Sequence, residues 1–415
     1  MVNERALRAL YVLLLIPILF SVYVHSPLFD PQPYLYGLKY TDFTIGVFLP
    51  VFQDPVDSSA GRGRWFNEEK IGELLGGKRT CPIPYLDYHF EYPPLVGLMW
   101  LFSTCVSLFS VAPPSFPPAD YGNILQRVVQ LHYYITAGFL FLSYLGIVFA
   151  LPALALERRR PLLLLLMPSM YVFSVYNWDV VAAAFFLLSI YAIERQRYGL
   201  SGVLAGLSVS TKLLTLFGGV LLGLTLLREG RRGDFLRYSA AFLAAAALPY
   251  AAVLLLSPHG FSHMISHHAT WYCENCLYML VSNDIWSNTH RVLAALSIGF
   301  LAGSLLTLTF SKPVDVRSAL FAAVSVPITF NYVFTPQMMA MMAPLAVVTL
   351  PLPLLALYAL ADWLNALALM VFFNEPEPWV LPSTSQKLFA MRNLLMAALT
   401  LTVIIMLFRR KLSPS

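Results

Sequence analysis

The run PPLVGLMWLFSTCVSLFSVA, residues 93–112, decides the topology of this chain. It is apolar, carries no charge, and is about as long as a straight membrane span, which needs ~20 residues. If it spans, every later helix reverses direction. The basic clusters ERRR (157–160), RQR (195–197), REGRR (228–232) and RRK (409–411) then fall outside. If it lies along the outer surface, or dips in and returns, all four fall inside together with Lys312 and Arg317. Lysine and arginine bias over short loops is the stronger orientation signal, so 93–112 reads as an interfacial or re-entrant element.

Spans are then predicted near 7–24, 126–154, 161–175, 178–194, 199–215, 216–229, 238–257, 291–310, 318–333, 338–354, 355–373 and 390–408. Several are shorter than a straight crossing requires and must be tilted, bent or buried in protein. The reading is of one transmembrane domain over 1–415, an all-α polytopic membrane protein of about 12 spans with both termini cytoplasmic. Composition agrees. The 415 residues are 58% hydrophobic and 12% charged, with mean hydropathy +0.67, whereas a soluble domain carries about 25% charged residues. The net charge of +5 sits in short clusters between apolar runs and is no nucleic-acid signal. Arg5 and Arg8 precede the apolar run Leu10 to Val24, but SVYVHSP after it holds no small-x-small cleavage site, so a retained first helix is expected.

Two segments face outward in this layout, 25–125 and 258–290. The cytoplasmic loops are too short for a nucleotide-binding domain, and no glycine-rich phosphate loop is present. Ionisable groups near a membrane are costly and need a partner or a purpose. Asp42, in GLKYTDFTIGVF, is either the N-cap of a short helix over 43–52 or a catalytic, substrate-facing carboxylate; Lys39 stands three residues before it. In PYLDYHFEYPPL, residues 84–95, Asp87, His89 and Glu91 alternate with Tyr88, Phe90 and Tyr92. An extended chain would put the polar row on one side and the rings on the other. That row is a cluster for acceptor hydroxyls or a metal, or else a solvated surface loop. Asn177 and Asp179 flank Trp178 at the predicted outer ends of two helices, as caps or as a pocket wall. Lys212 in GLSVSTKLLTLF either snorkels or meets phosphate.

The second outer segment holds His259, His263, His267 and His268, half of the eight histidines. His267, His268 and Arg291 are candidates for contact with an anionic substrate. Cys273 and Cys276 have the spacing of a zinc ligand pair, with a short-loop disulfide or a bond to Cys81 as competitors. Cys105 lies in the apolar run and reads as core packing.

These groups gather on one side of the bilayer, where a lipid with a phosphate head could reach them. In order and spacing, KYTDFTIGVF, DYHFEYPPLVGLMW, YNWDVVAAAFFLLSIYAIERQ, GLSVSTKLLTLF and, more loosely, FTPQMMAMMAPL (334–345) resemble the GT-C glycosyltransferases. The set most similar is the prokaryotic and archaeal relatives of the polyprenol-phosphate-mannose mannosyltransferases. The resemblance implies a helical bundle with a long first outer loop, a catalytic acid at Asp42, and binding groups that include Gln337. It implies a polyprenyl-phosphate sugar donor, most simply of mannose, and a lipid, glycan or protein acceptor, with a divalent metal open. The family often has a second acid two positions after the first, where this chain has Thr44; Asp87 or Glu91 is the expected substitute. Two rival readings are a transporter or lipid flippase, for which twelve spans with broken helices also serve, and a non-enzymatic assembly subunit.

Overall fold

In the computed structural model, residues 11–53, 64–155 and 157–409 are described. Among them the chain is helical, with isolated bridges but no strand. Six helices are long and apolar enough to cross a membrane: Pro94–Val111, Pro118–Leu154, Arg232–Leu256, Asn288–Ser311, Leu352–Phe372 and Thr384–Arg409. The protein is therefore an all-α polytopic membrane protein. Shorter apolar helices, among them Val316–Thr329 and Met338–Thr349, sit between the long ones. Apart from Val316, Arg317 and Ser318, every residue of these two short helices is buried, so neighbouring helices, not lipid, cover them. Helical structure occupies each of the twelve predicted spans. Residues 7–10 of the first span, with Arg5, Arg8, Arg410 and Lys411, lie outside the described residues.

The basic clusters converge on one end of the bundle. Arg317 donates to the Leu154 carbonyl at 2.8 Å and pairs with Glu194 at 3.0 Å, and Arg228 donates to the carbonyls of Thr309 and Lys312. Arg160 reaches the Val347 carbonyl, and the Tyr11 hydroxyl bonds the carbonyl of Arg158. These side chains cap the last carbonyls of neighbouring helices, which have no partner inside their own helix.

At the opposite end, the 25–125 and 258–290 segments pack on each other. Ser257 Oγ donates to the Tyr85 carbonyl at 2.6 Å. Gly260 lies so close that an added Cβ would stand 2.1 Å from that same oxygen. The Pro94–Val111 helix packs beside Tyr121–Leu154, with the rings of Phe102 and Phe139 5.6 Å apart, and is bonded to the 77–92 stretch. Near its start, the Tyr85 hydroxyl donates to the Tyr92 carbonyl. Near its finish, Arg79 donates to the carbonyls of Phe109 and Ala112, and Phe116 N–H to Gly77. A disulfide joins Cys81 to Cys105 in the middle of the helix. One stretch, 77–92, thus flanks both ends of the helix. This corrects the reading of Cys105 as simple packing and removes Cys81 as a partner for Cys273 or Cys276, which are bonded to each other.

The tightest helix pair is Tyr198–Thr211 against Arg232–Leu256. Gly202 and Gly206, four apart, let the backbones meet: a Cβ would lie 2.2 Å from the Tyr238 carbonyl at one and 2.6 Å from the Phe242 carbonyl at the other. Small residues four apart are how helices approach closely where lipid gives no hydrophobic drive.

Candidate active site

Four interruptions of helix meet at one place below the 25–125 segment. Asp42 opens a π-helical stretch, Asp42–Phe48, an uncommon geometry that occurs mostly at functional sites. Asn177 and Trp178 precede the Asp179–Glu194 helix. Lys212 stands in extended backbone between Tyr198–Thr211 and the helix that starts at Leu216. Gln337 caps Met338–Thr349. Irregular backbone at membrane depth is tolerated where protein buries it or a polar cavity is lined by it.

The Asp42 carboxylate accepts from Asn177 Nδ2 at 2.5 Å and Gln337 Nε2 at 3.2 Å, and the Asp42 N–H donates to the Tyr176 carbonyl at 2.9 Å. Tyr40 hydrogen-bonds the same carboxylate. Its hydroxyl occupies the space a side chain at Gly46 would need, since a Cβ there would lie 2.8 Å from the Tyr40 oxygen. Beside them, Lys212 Nζ pairs with Asp179 at 2.6 Å; Asp179 is fully buried and Lys212 19% exposed. The second carboxylate oxygen of Asp179 has no partner.

A third carboxylate comes from the 258–290 segment. Glu274 lies between the bonded cysteines Cys273 and Cys276, accepts from Trp271 Nε1 at 2.9 Å, and its backbone bridges Tyr332 and Phe334. Burial, then the charge of Glu274, pushes the Asp42 carboxyl up to about 7, with Lys212 and the Asn177 bond partly offsetting the rise. Burial raises Glu274 too, opposed by its bond from Trp271 and by Lys212. A carboxyl poised near neutral pH is suited to taking a proton.

The loops that hold Glu274 and Gln337 are tied from behind by one buried cation. Arg392 donates to the carbonyls of Phe334 and Asn275 and to Asn365 Oδ1, and its guanidinium lies 3.8 Å from the centroid of the Phe334 ring. Asn365 in turn donates to the Pro336 carbonyl.

The remaining sequence candidates separate. Asp87 is turned inward, accepting from Asn67 Nδ2 and Ile83 N–H, both at 2.6 Å, and so fixes its own turn. Glu91 pairs with Arg64 at 3.0 Å. His89 stacks on His263, ring centroids 3.7 Å apart, with His259 at 5.2 Å. Tyr88 and Phe90, by contrast, are buried in the core. Burial and the neighbouring histidines hold His89 down at about 4, and burial holds His267 at about 4 and lowers His268. These rings are therefore neutral at neutral pH. His268 feels the charges of both Glu91 and Lys212, whereas His267 packs on Trp271. Arg291 spends its guanidinium on Asn288 and the carbonyls of Thr270 and Trp271, closing off the histidine-bearing helix Pro258–Thr270. Lys39 bonds the Phe29 carbonyl. The structure brings Asp42, Asn177, Asp179, Lys212 and Gln337 together and leaves Asp87, Lys39 and Arg291 in supporting contacts.

Among the described residues, His290 and the two cysteines of the second segment form the one group with metal-ligand proximity, their donor atoms within 4.8 Å. With the sulfurs joined to each other they offer no thiolate, the form that binds zinc.

No family model, curated protein or solved structure matches this chain. Fold and geometry alone therefore define its class: a multi-pass helical membrane protein with a polar, carboxylate-lined site at the end of the bundle away from its basic clusters.

Proposed function

We propose that the protein is an inverting glycosyltransferase that moves a hexose, mannose in the simplest case, from a polyprenyl phosphate to an acceptor hydroxyl at the outer face of the cell membrane. The observation that carries this reading is the meeting of a carboxyl near 7, Asp42, held by Asn177 and Gln337, with the Lys212–Asp179 ion pair at one set of helix breaks. The basic clusters at the far end of the bundle support a cytoplasmic location for that end, which turns the site outward and leaves both termini cytoplasmic.

In this reading Asp42 takes the proton of the acceptor hydroxyl as its oxygen bonds the anomeric carbon. The bond from that carbon to the phosphate oxygen breaks on the opposite side, and polyprenyl phosphate leaves with the electron pair. Asn177, Gln337 and Tyr40 hold the Asp42 carboxylate in one orientation, which is worth rate because a positioned base needs no search. Lys212 has three N–H donors and spends one on Asp179, leaving others for the departing phosphate; a pre-placed cation there stabilises charge that grows in the transition state. His268 adds a donor on the same side. Because the sugar arrives already activated on the lipid, no nucleotide site is required.

The test is product chemistry. Purified protein in lipid vesicles, given polyprenyl-phosphate hexoses and an extract of membrane lipids and glycans, is expected to release polyprenyl phosphate and form a product of inverted anomeric configuration. A retained anomer, or no release from folded protein, would overturn the reading.

A further inference from the structure

A chain of rings leads from the carboxylates to the surface. Trp271, bonded to Glu274, lies 4.9 Å from Tyr272, centroid to centroid. Tyr272 in turn meets Trp286 at 5.3 Å and Trp379 at 5.8 Å. Through Trp271, which donates to Glu274, Tyr272 is one side chain removed from the site's carboxylates. At the outer end, Trp286 is 59% and Trp379 41% exposed. Two separate loops contribute, one closed by the Cys273–Cys276 disulfide and the other joining Leu352–Phe372 to Thr384–Arg409. Asn283 Oδ1 ties them by accepting from the Leu381 N–H at 2.9 Å.

We infer that this platform binds a saccharide, and that the acceptor is therefore a neutral glycan that lies across Trp286 and Trp379 with its terminal hydroxyl toward Asp42. This deepens the transferase reading and rests on it for the identity of the reaction. The C–H face of a pyranose is apolar and slightly positive, and it matches the negative face of an aromatic ring. The stretches that carry the rings hold the acids Glu274, Asp284, Glu375 and Glu377; the cation that reaches them, Arg291, is spent on Asn288 and the carbonyls of Thr270 and Trp271, and Lys387 follows the second stretch. Carboxylates accept the hydroxyl protons of a sugar. The exposed carboxylates Asp284 and Glu377 disfavour an anionic headgroup. A phosphorylated or otherwise anionic glycan would be repelled.

The experiment uses the full chain in lipid nanodiscs and reads binding, not turnover. Saturation-transfer NMR against a panel of neutral and anionic oligosaccharides is expected to detect a neutral ligand. Trp286→Ala and Trp379→Ala, both at exposed positions, should each weaken it on the order of tenfold, with an unchanged unfolding midpoint showing that the fold is intact. Brominated acyl chains should leave the fluorescence lost in each variant unquenched in the parent protein. Quenching there would assign the rings to the membrane and end the proposal. So would a panel with no bound saccharide, above all from protein that transfers label to a lipid or a polypeptide. Saccharide binding without any transfer would uphold the platform while removing the transferase reading.

Discussion

Asp42 gathers contacts from four parts of the chain: Tyr40 beside it, Asn177, Gln337, and the field of Glu274. If it is the base, Asp42→Asn should cost about 10²–10⁴-fold in turnover while donor binding, measured by lipid competition, stays within a few-fold. The pH profile follows with a definite sign. A carboxyl raised to about 7 is protonated, and unable to accept a proton, below that pH. The rate constant kcat/KM should therefore rise with pH through about 7 and level off above it. Glu274→Gln removes the second-largest cause of the raised value, so the rising limb should move to lower pH; a limb that stayed in place would separate Glu274 from Asp42. Asp42, Asn177, Asp179 and Lys212 stand out in the sequence because each is an ionisable or amide group breaking an apolar stretch, a cost that demands an explanation; Gln337 is reached only through the family resemblance. Glu274 does not stand out, because in CENC the cysteines dominate the reading and its neighbour Asp42 is distant in sequence. Asp87 accepts two hydrogen bonds from its own segment, and nothing in an alternating pattern distinguishes a solvent-facing carboxylate from one folded back on the backbone.

At the scale of elements, each of the twelve predicted spans holds helical segments, because apolar length, proline and basic flanks mark them independently of packing, and six helices, Pro94–Val111 among them, are long and apolar enough to cross a membrane. What the pattern could not supply was where helices break in three dimensions and which breaks meet. Pro94–Val111 shows the difficulty. Its composition is that of a span, and Cys81, Arg79 and Tyr85 hold it from a neighbouring loop, contacts that no apolar pattern announces. The contact of Tyr198–Thr211 with Arg232–Leu256 can be tested by Gly206→Val. A side chain there meets backbone at under 3 Å, so the helices must part, and overpacking of this kind costs about 1–3 kcal/mol. Thermal unfolding in detergent should register the loss. An unchanged midpoint would mean that the two helices are not pressed together as described.

For the whole molecule, the central arrangement is polar chemistry at one end and basic clusters at the other. The same asymmetry speaks against the transporter reading, in which binding groups lie near mid-membrane between related halves. Orientation is testable because all four native cysteines are paired in disulfides. A cysteine placed at Arg159 should react with an impermeant thiol reagent in inverted vesicles and be silent in intact cells. Labelling from outside would reverse the bundle and place Asp42 in the cytoplasm.

The most direct measurement combines chemistry and residue. Wild-type and Asp42→Asn proteins, in matched lipid vesicles, are each given radiolabelled polyprenyl-phosphate sugars and an acceptor extract. Label passing to a new product with release of polyprenyl phosphate in the wild type, and its loss in the variant with donor still bound, is the expected result. Equal transfer by both proteins would move the base away from Asp42, and no transfer by folded wild type would contradict the account at its centre.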